Sequence, residues 1–307
     1  MPRFSIIIPA FNAADTIGDT LSSLIAQTCP DWEALVVDDG STDATREMVA
    51  QWASRDARIR LMGHPGNGPS DARNFAAFHR ARGEILAFCD ADDLWANTKL
   101  AEVALTMAPL GCDGAFGKVA FFSQNPSDAR TLSNLPDGPL NIPKLMGENP
   151  VCTLSNLSVR REVFLISGGF DPSFVHNEDL DWLIRAVGAG VELRAMNSVQ
   201  VWYRTSHGGL SSDLPAMRSS RARVLKTARR YGYASSPMTE AIYLRYLARR
   251  ALRLDLGRAE ALRLSLRGLW TSPRGFCSPA RRGLVTALAS IAAPFLPRSV
   301  RRALFSH

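Results

Sequence analysis

The 307-residue sequence predicts an α/β fold: a mostly parallel sheet flanked by helices, followed by a helical C-terminal extension. Three observations predict it. Over the first 110 or so residues, short apolar runs alternate with stretches whose apolar residues recur at helical spacing. Several of those runs end on Asp or Asn, the polar edge of a doubly wound sheet, where ligands bind beyond the carboxyl ends of the strands. Beyond about residue 215 the strand pattern gives way to arginine-rich helical periodicity.

The elements follow in order. Phe4–Pro9 reads as a buried strand, and Ile17, Leu21, Leu24 and Ile25 mark a helix. Ala34–Val37 is the next strand, ending on Asp38-Asp39-Gly40. Met48, Val49 and Trp52 mark the helix after it, with Ser41 or Thr42 placed to cap it. Ile59–Met62 is a third strand. The glycine-rich loop Gly63–Gly68 leads into a helix over Asp71–Arg82, and Ile85–Cys89 is a fourth strand running into Asp90. Gly114–Phe122 reads as a longer strand and Ser123–Gly147 as loop. Leu154–Val159 reads as a strand, Glu178–Val187 as a helix and Val199–Tyr203 as a strand. Pro237 after Ser236 marks a helix start. Leu244, Leu247, Ala248, Ala251 and Leu252 form one apolar face.

Composition bounds the function classes. Apolar residues make up 46% of the chain, enough for a substantial core. Five scattered cysteines, without a CxxC pair or a histidine at ligand spacing, argue against a disulfide framework or a zinc site and suit a reducing, cytoplasmic setting. The apolar start is too short for a signal-peptide core, and no apolar run approaches the ~18 residues of a membrane span. Residues 216–307 hold 19 Lys or Arg against 3 acidic residues, whereas residues 1–215 hold 17 against 26. An acidic body thus carries a basic tail. The tail lacks the recognition motifs and interleaved aromatics of a nucleic-acid binder.

Asp90-Ala91-Asp92-Asp93 sits between an apolar strand and Leu94-Trp95. Carboxylates two apart at a strand end can share Mg²⁺ or Mn²⁺, with phosphate oxygens completing the shell. The same tetrapeptide also suits an Asp-rich turn that starts a helix. Its company distinguishes the readings. Pro9-Ala10-Phe11-Asn12, Asp38-Asp39-Gly40-Ser41-Thr42-Asp43, Ala72-Arg73-Asn74 and the acidic cluster occur in that order, each at a strand end or loop. The ordered set closely resembles glycosyltransferase family 2, the inverting transferases of the GT-A fold, over roughly residues 3–212.

The resemblance implies a GT-A, Rossmann-like domain over 1–215, with a nucleotide-sugar half to about 110 and an acceptor half after it. The basic helical region would span 216–307. It implies a nucleotide-sugar donor, most often a UDP-sugar, and a divalent cation, Mn²⁺ or Mg²⁺. Pro9, Phe11 and Asn12 would line the nucleotide pocket, and Asp39 would accept from the base edge. Arg73 would lie near the donor phosphates or the acidic cluster. Asp90 would sit by the ribose or sugar, and Asp92 would ligate the metal. Asp43 reads as a helix-start residue.

Glu178-Asp179-Leu180-Asp181-Trp182 opens a helix, where acids are common. It resembles the family's Glu-Asp pair, which makes Asp179 the expected general base and Glu178 the alternative or its assistant. Asp181 and Trp182 would then bind the acceptor. Arg204 and His207 fall in a segment resembling the family's mobile flap, where either would contact phosphate and His207 could also reach the metal.

In the tail, Leu284–Pro297 is apolar and flanked by arginines. It is too short to span a bilayer, but suits a helix lying on an anionic membrane surface, or one packed on the catalytic domain. The expected setting is cytoplasmic, peripheral to the inner face of the membrane, and the expected acceptor is a glycan or lipid-linked saccharide of polysaccharide biosynthesis. Two alternatives stand beside this. A sugar-nucleotide pyrophosphorylase would want a glycine-rich basic loop after the first strand, where Pro9-Ala10-Phe11-Asn12 stands. A non-catalytic scaffold would not need the intact acids.

Overall fold

The computed structural model describes residues 1–108, 112–205, 213–257 and 259–305. The chain divides into two compact units, Met1–Leu140 with Val151–Thr205, and Asn141–Pro150 with the chain beyond Thr205.

The first unit is built on nine strands among the described residues. They are β1 (Phe4–Ala10), β2 (Trp32–Asp38), β3 (Ile59–Gly63), β4 (Ile85–Phe88), β5 (Leu94–Trp95), β6 (Gly114–Phe122), β7 (Thr131–Leu132), β8 (Ser158–Arg160) and β9 (Leu193–Arg204). Their order is β3-β2-β1-β4-β8-β6-β9-β5, with β7 paired to β6. β3, β2, β1 and β4 are mutually parallel, as are β6 and β9. β8 joins the two groups antiparallel to both neighbours. Every residue of β1, β2 and β4 is buried. Strands covered on both faces read as unbroken apolar runs, which is why they were legible. The exception inside β2 is Glu33, which accepts from Ser5 and pairs with Arg60 and Arg82.

The helices of this unit are α1 (Ile17–Ile25), α2 (Thr45–Arg55), α3 (Pro69–His79) and α4 (Lys99–Thr106). In the second unit, α5 (Ile142–Gly147) forms inside a segment that reads as loop, because six residues are too few to show a period. Asn141 caps it by accepting from the Lys144 amide. α6 (Arg161–Ile166) and α7 (Glu178–Gly188) return to the first unit. Residues 154–156 are a 3₁₀ turn instead of strand, because the Asn156 side chain turns to bond the Gly117 amide and carbonyl and the Val151 carbonyl.

One aromatic cluster sets where α7 lies. Phe164 lies 5.0 Å from Phe170 and 5.6 Å from Trp182, and Phe88 of β4 lies 5.2 Å from both phenylalanines, centroid to centroid. Trp182 has no exposed surface, and its indole N–H donates to Ser167 Oγ at 2.8 Å. The cluster therefore fastens the helix that begins at Glu178 to the strand that delivers Asp90.

The helical unit continues with α8 (Leu214–Arg230), α9 (Pro237–Arg253), α10 (Glu260–Thr271), α11 (Pro273–Phe276), α12 (Ala280–Ala292) and α13 (Arg298–Phe305). Ser236 and Thr239 form a capping box at the start of α9. Leu244, Leu247, Ala248, Ala251 and Leu252 are buried there against Leu214, Ala261 and Leu264. Segment 141–150 joins this unit through Glu148, whose carboxylate bonds Arg282 through both oxygens and lies within 3.6 Å of Arg245 and Arg249. No helix among the described residues is long and apolar enough to cross a membrane.

Trp182→Ala would empty a fully buried site beside Phe164 and Phe170. It is expected to lower the unfolding free energy by about 3–5 kcal/mol in denaturant titrations, with Trp182→Phe losing distinctly less.

Candidate active site

The loops after β1 and β2 are stitched together by Asn12. Its φ of +48° is left-handed, a conformation that asparagine tolerates better than most residues. Its amide donates to Ser41 Oγ at 3.0 Å, and its side-chain oxygen accepts from the Thr42 amide at 2.8 Å. Ser41 and Thr42 are thereby committed to Asn12 and do not cap α2. Asp43 organises that start, accepting from Thr45 and from the Ala14 amide. Phe11 projects from the same loop with 61% of its surface exposed, a free aromatic face at the strand end. Pro9 is buried within β1, so it shapes the strand beneath the loop and offers no surface of its own.

Asp39 is buried and held from two sides. One carboxylate oxygen lies 2.7 Å from His64 Nδ1, and the other accepts from the Gly68 amide at 2.8 Å. His64 in turn lies 3.5 Å from Asp71 through Nε2 and packs on Phe75. His64 is a site residue that the sequence reading missed. Its one signal was a histidine directly after β3 at the mouth of the glycine loop.

The acidic loop divides its labour. Asp90 accepts from Arg73 Nη2 at 2.6 Å and from Thr153 Oγ1 at 3.1 Å, while its amide donates to Ser155 Oγ. Asp93 is buried, accepting from Ser155 Oγ at 2.6 Å and from the Arg204 amide at 3.0 Å. Burial and the neighbouring Asp92 and Asp90 push its carboxyl well above the usual range. Arg204 donates to the Asp92 carbonyl at 3.0 Å and pairs with Asp19 at 3.1 Å. Its guanidinium therefore braces the acidic loop from outside. His207 lies outside the described residues.

Asp92 differs from its neighbours. Among the described residues, no other side chain donates to its carboxylate, and burial together with Asp90 raises its pKa to about 6. Crowded negative charge of this kind is what a divalent cation offsets. Among the described residues no three His, Cys, Asp or Glu side chains gather as ligands. The donor set fits Mn²⁺ or Mg²⁺ held by one or two carboxylates with substrate phosphates, and not an all-protein cage.

Arg73, on α3, connects this loop to α7. Its side chain is 6% exposed, with Nη2 on Asp90 and Nη1 3.5 Å from Glu178 Oε1. Its Nε and Nη1 make no hydrogen bond, which leaves buried donors to be satisfied. Burial, and then Asp179, raise the Glu178 pKa to about 7 against the opposing pull of Arg73. Asp179 is likewise raised by burial, and it accepts from the Leu180 amide at 2.7 Å.

The adjacent Asn74 clasps the turn before α7. Its Nδ2 donates to the Phe170 carbonyl at 2.7 Å, and its oxygen accepts from the Phe170 amide at 3.0 Å. Gly169 there has φ +67°, and a Cβ would fall 2.6 Å from Asn74 Oδ1. Asp181 and Trp182 stand apart from the other site residues. Asp181 is 3% exposed and pairs with Arg185 at 2.9 Å, and Trp182 is wholly enclosed. Both hold α7 in place, and neither offers a surface to an acceptor. They lie three and four residues beyond Glu178, on the same helical face but one turn deeper, where Arg185, Ser167 and Phe164 enclose them.

Residues 5–165 match the model of glycosyl transferase family 2. The chain is 30% identical over 213 residues to the putative teichuronic acid biosynthesis glycosyltransferase TuaG of Bacillus subtilis, covering 69% of this chain and 82% of that one. It is also 30% identical over 211 residues to WfgD of Escherichia coli, a UDP-Glc:alpha-D-GlcNAc-diphosphoundecaprenol beta-1,3-glucosyltransferase, covering 68% and 79%. Among solved structures it resembles S. aureus TarS 1–349 in complex with UDP-GlcNAc, with TM-score 0.59, 20% identity and coverage of 98% and 83%. It also resembles the mannosyltransferase PcManGT from Pyrobaculum calidifontis in complex with GDP-Man and Mn²⁺, with TM-score 0.61, 20% identity and coverage of 99% and 84%. At that identity the two structures speak for the shared fold.

Two outcomes follow from the geometry. Asn74→Ala removes both bonds that hold the turn, and is expected to cost about 1–3 kcal/mol in denaturant titrations. The second concerns pH. The raised carboxyls of Asp92 and Glu178 keep a proton in the folded state between their usual values, 3.8 and 4.5, and about 6 and 7. Across that window the folded protein binds more protons than the unfolded chain, so cation-free stability should fall from pH 5 to 7. Thermal denaturation should show this fall, a smaller one in Asp92→Asn, and a Mn²⁺-induced rise in Tm that is larger at pH 7 than at pH 5.

Proposed function

The chain belongs to glycosyltransferase family 2, and on that premise we propose that it is an inverting, cation-assisted transferase that moves a sugar from a UDP-sugar to a saccharide carried on a lipid diphosphate. The observation that carries this is the buried Arg73, which joins Asp90 on the donor side to Glu178 on the acceptor side. The printed activity of WfgD, a UDP-glucose donor with a diphosphoundecaprenol-linked acceptor, supports the donor and acceptor classes. The name of TuaG supports a role in bacterial polysaccharide synthesis.

In this reading the exposed Phe11 ring packs against the nucleoside, and Asp39, oriented by His64 and Gly68, accepts from the base edge. Asn12 holds the pocket's two loops together. Asp92 holds the cation, with Asp90 near the ribose or sugar. The cation supplies neutralisation of the charge that grows on the leaving diphosphate. Arg73, held on Asp90 through Nη2, adds positive charge beside it and keeps a buried Nε hydrogen unbonded.

Asp179 takes the proton from the acceptor hydroxyl as its oxygen bonds to the anomeric carbon. The bond from that carbon to the diphosphate oxygen breaks on the opposite side, and the configuration inverts. Glu178 orients the acceptor and shares the negative charge of the pair. A carboxylate whose pKa is raised by burial is a stronger base near neutral pH than an exposed one. The pyrophosphorylase alternative loses its footing, since the chain is a glycosyltransferase by family.

Asp179→Asn should lower kcat by about 10²–10⁴ while donor Kd, measured by calorimetry with a UDP-sugar and Mn²⁺, barely moves. Asp92→Ala should instead abolish the Mn²⁺ dependence of donor binding. Collapse of donor affinity in Asp179→Asn would remove it from the role of base.

A further inference from the structure

The helix α12 is built inside out. Its buried side consists of Gly283, Thr286 and Ser290. Ser290 Oγ and Ser265 Oγ of α10 are 2.8 Å apart, and Thr286 Oγ1 bonds back to the Arg282 carbonyl. A Cβ at Gly283 would collide with the backbone of Phe276 and Cys277, so this side is seated closely on its own unit. The opposite side carries Leu284, Val285, Leu288 and Ile291, exposed at 56%, 60%, 67% and 52%, and Phe295 follows at 84%. Their spacing of one, three and four residues places them along one stripe. An ordinary surface helix turns such a stripe inward, as α9 does with Leu244, Leu247 and Ala251. Leu266 and Trp270, one turn apart on α10, are also exposed, Trp270 at 92%.

Charge identifies the occupant. From Leu262 to the C-terminus there is no acidic residue, against eight arginines. Arg267, Arg274, Arg281 and Arg298 of these are exposed. A second copy would bring the same positive charge to the same stripe and be repelled. A surface of anionic lipid headgroups over hydrocarbon matches both features, arginine to headgroup and leucine to acyl chain. A 13-residue helix is about 20 Å long, short of the ~30 Å hydrocarbon core, so it would lie along the surface.

We infer that α12, with Phe295 and the exposed arginines around it, is a membrane-docking face that seats the protein on anionic lipid. It stands on the helical unit alone and does not depend on the assignment of donor or base.

The test is co-sedimentation of the full-length protein with vesicles. Binding to phosphatidylcholine vesicles containing about 30% phosphatidylglycerol is expected to be at least ~10-fold tighter than to pure phosphatidylcholine, and to weaken with salt. The triple variant Leu284→Ser, Leu288→Ser, Ile291→Ser changes exposed side chains only. It should keep the wild-type Tm and turnover on a water-soluble acceptor, and lose vesicle binding by at least ~10-fold. Arg274→Gln with Arg281→Gln, two exposed arginines outside the ion pair that Arg298 makes with Asp255, should lose the preference for phosphatidylglycerol while folding normally. Wild-type protein that stays in the supernatant with phosphatidylglycerol vesicles, or a triple variant that sediments as wild type does, would overturn the inference. So would a wild-type dimer that ignores vesicles and becomes monomeric in the triple variant, which would make the stripe a self-interface.

Discussion

The site depends on one buried cation. Arg73 sits between two carboxylates that belong to separate parts of the chain, Asp90 after β4 and Glu178 at the head of α7. A guanidinium with so little exposure is costly to leave unpaired, and so are carboxylates in the same enclosure. Each therefore requires the others in place. Asn74, the next residue on α3, fixes the turn that leads to Glu178 through the backbone of Phe170. Two consecutive side chains of one helix thus set the distance between the acidic loop and the acid pair.

The surroundings make that arrangement rigid without relieving its charge. Ser155 reaches both the Asp90 amide and the Asp93 carboxylate, and Arg204 holds the loop's backbone from the far side. Asp93 is consumed by these structural bonds. Asp92 alone of the three keeps its carboxylate without a side-chain donor among the described residues, at a pKa near 6. Rigid scaffolding around one unsatisfied acid is the arrangement that the proposed cation would complete, and the strain it stores is electrostatic, not conformational.

Much of this was legible in the sequence, for identifiable reasons. β1, β2 and β4 are buried on both faces, so they appear as apolar runs, and polar residues follow each of them at the strand ends. Asp90–Asp93 by itself suits an Asp-rich turn equally well, and it was the ordered motifs around it that singled it out. What could not be read were contacts whose partners lie far along the chain. His64 binds Asp39 across 25 residues, and Thr153 reaches Asp90 across 63. Depth along one helix face was equally hidden. Trp182 follows Glu178 by one turn on the same face, yet it is enclosed by phenylalanines. Nor does periodicity reveal which side of α12 faces out, since the same stripe serves a core or a surface.

The strand order has a consequence for how the protein is made. β3, β2, β1 and β4 are complete once residue 88 has emerged from the ribosome, and of their pairings only that of β4 with β8 waits for later chain. This group of parallel strands can thus assemble on a nascent chain. The acidic loop cannot be finished then. Its flank, β5, pairs among the described residues only with β9, and its bonds to Arg204 wait for more than a hundred further residues. The strand frame can therefore pair before the charged loop has the partners that hold it.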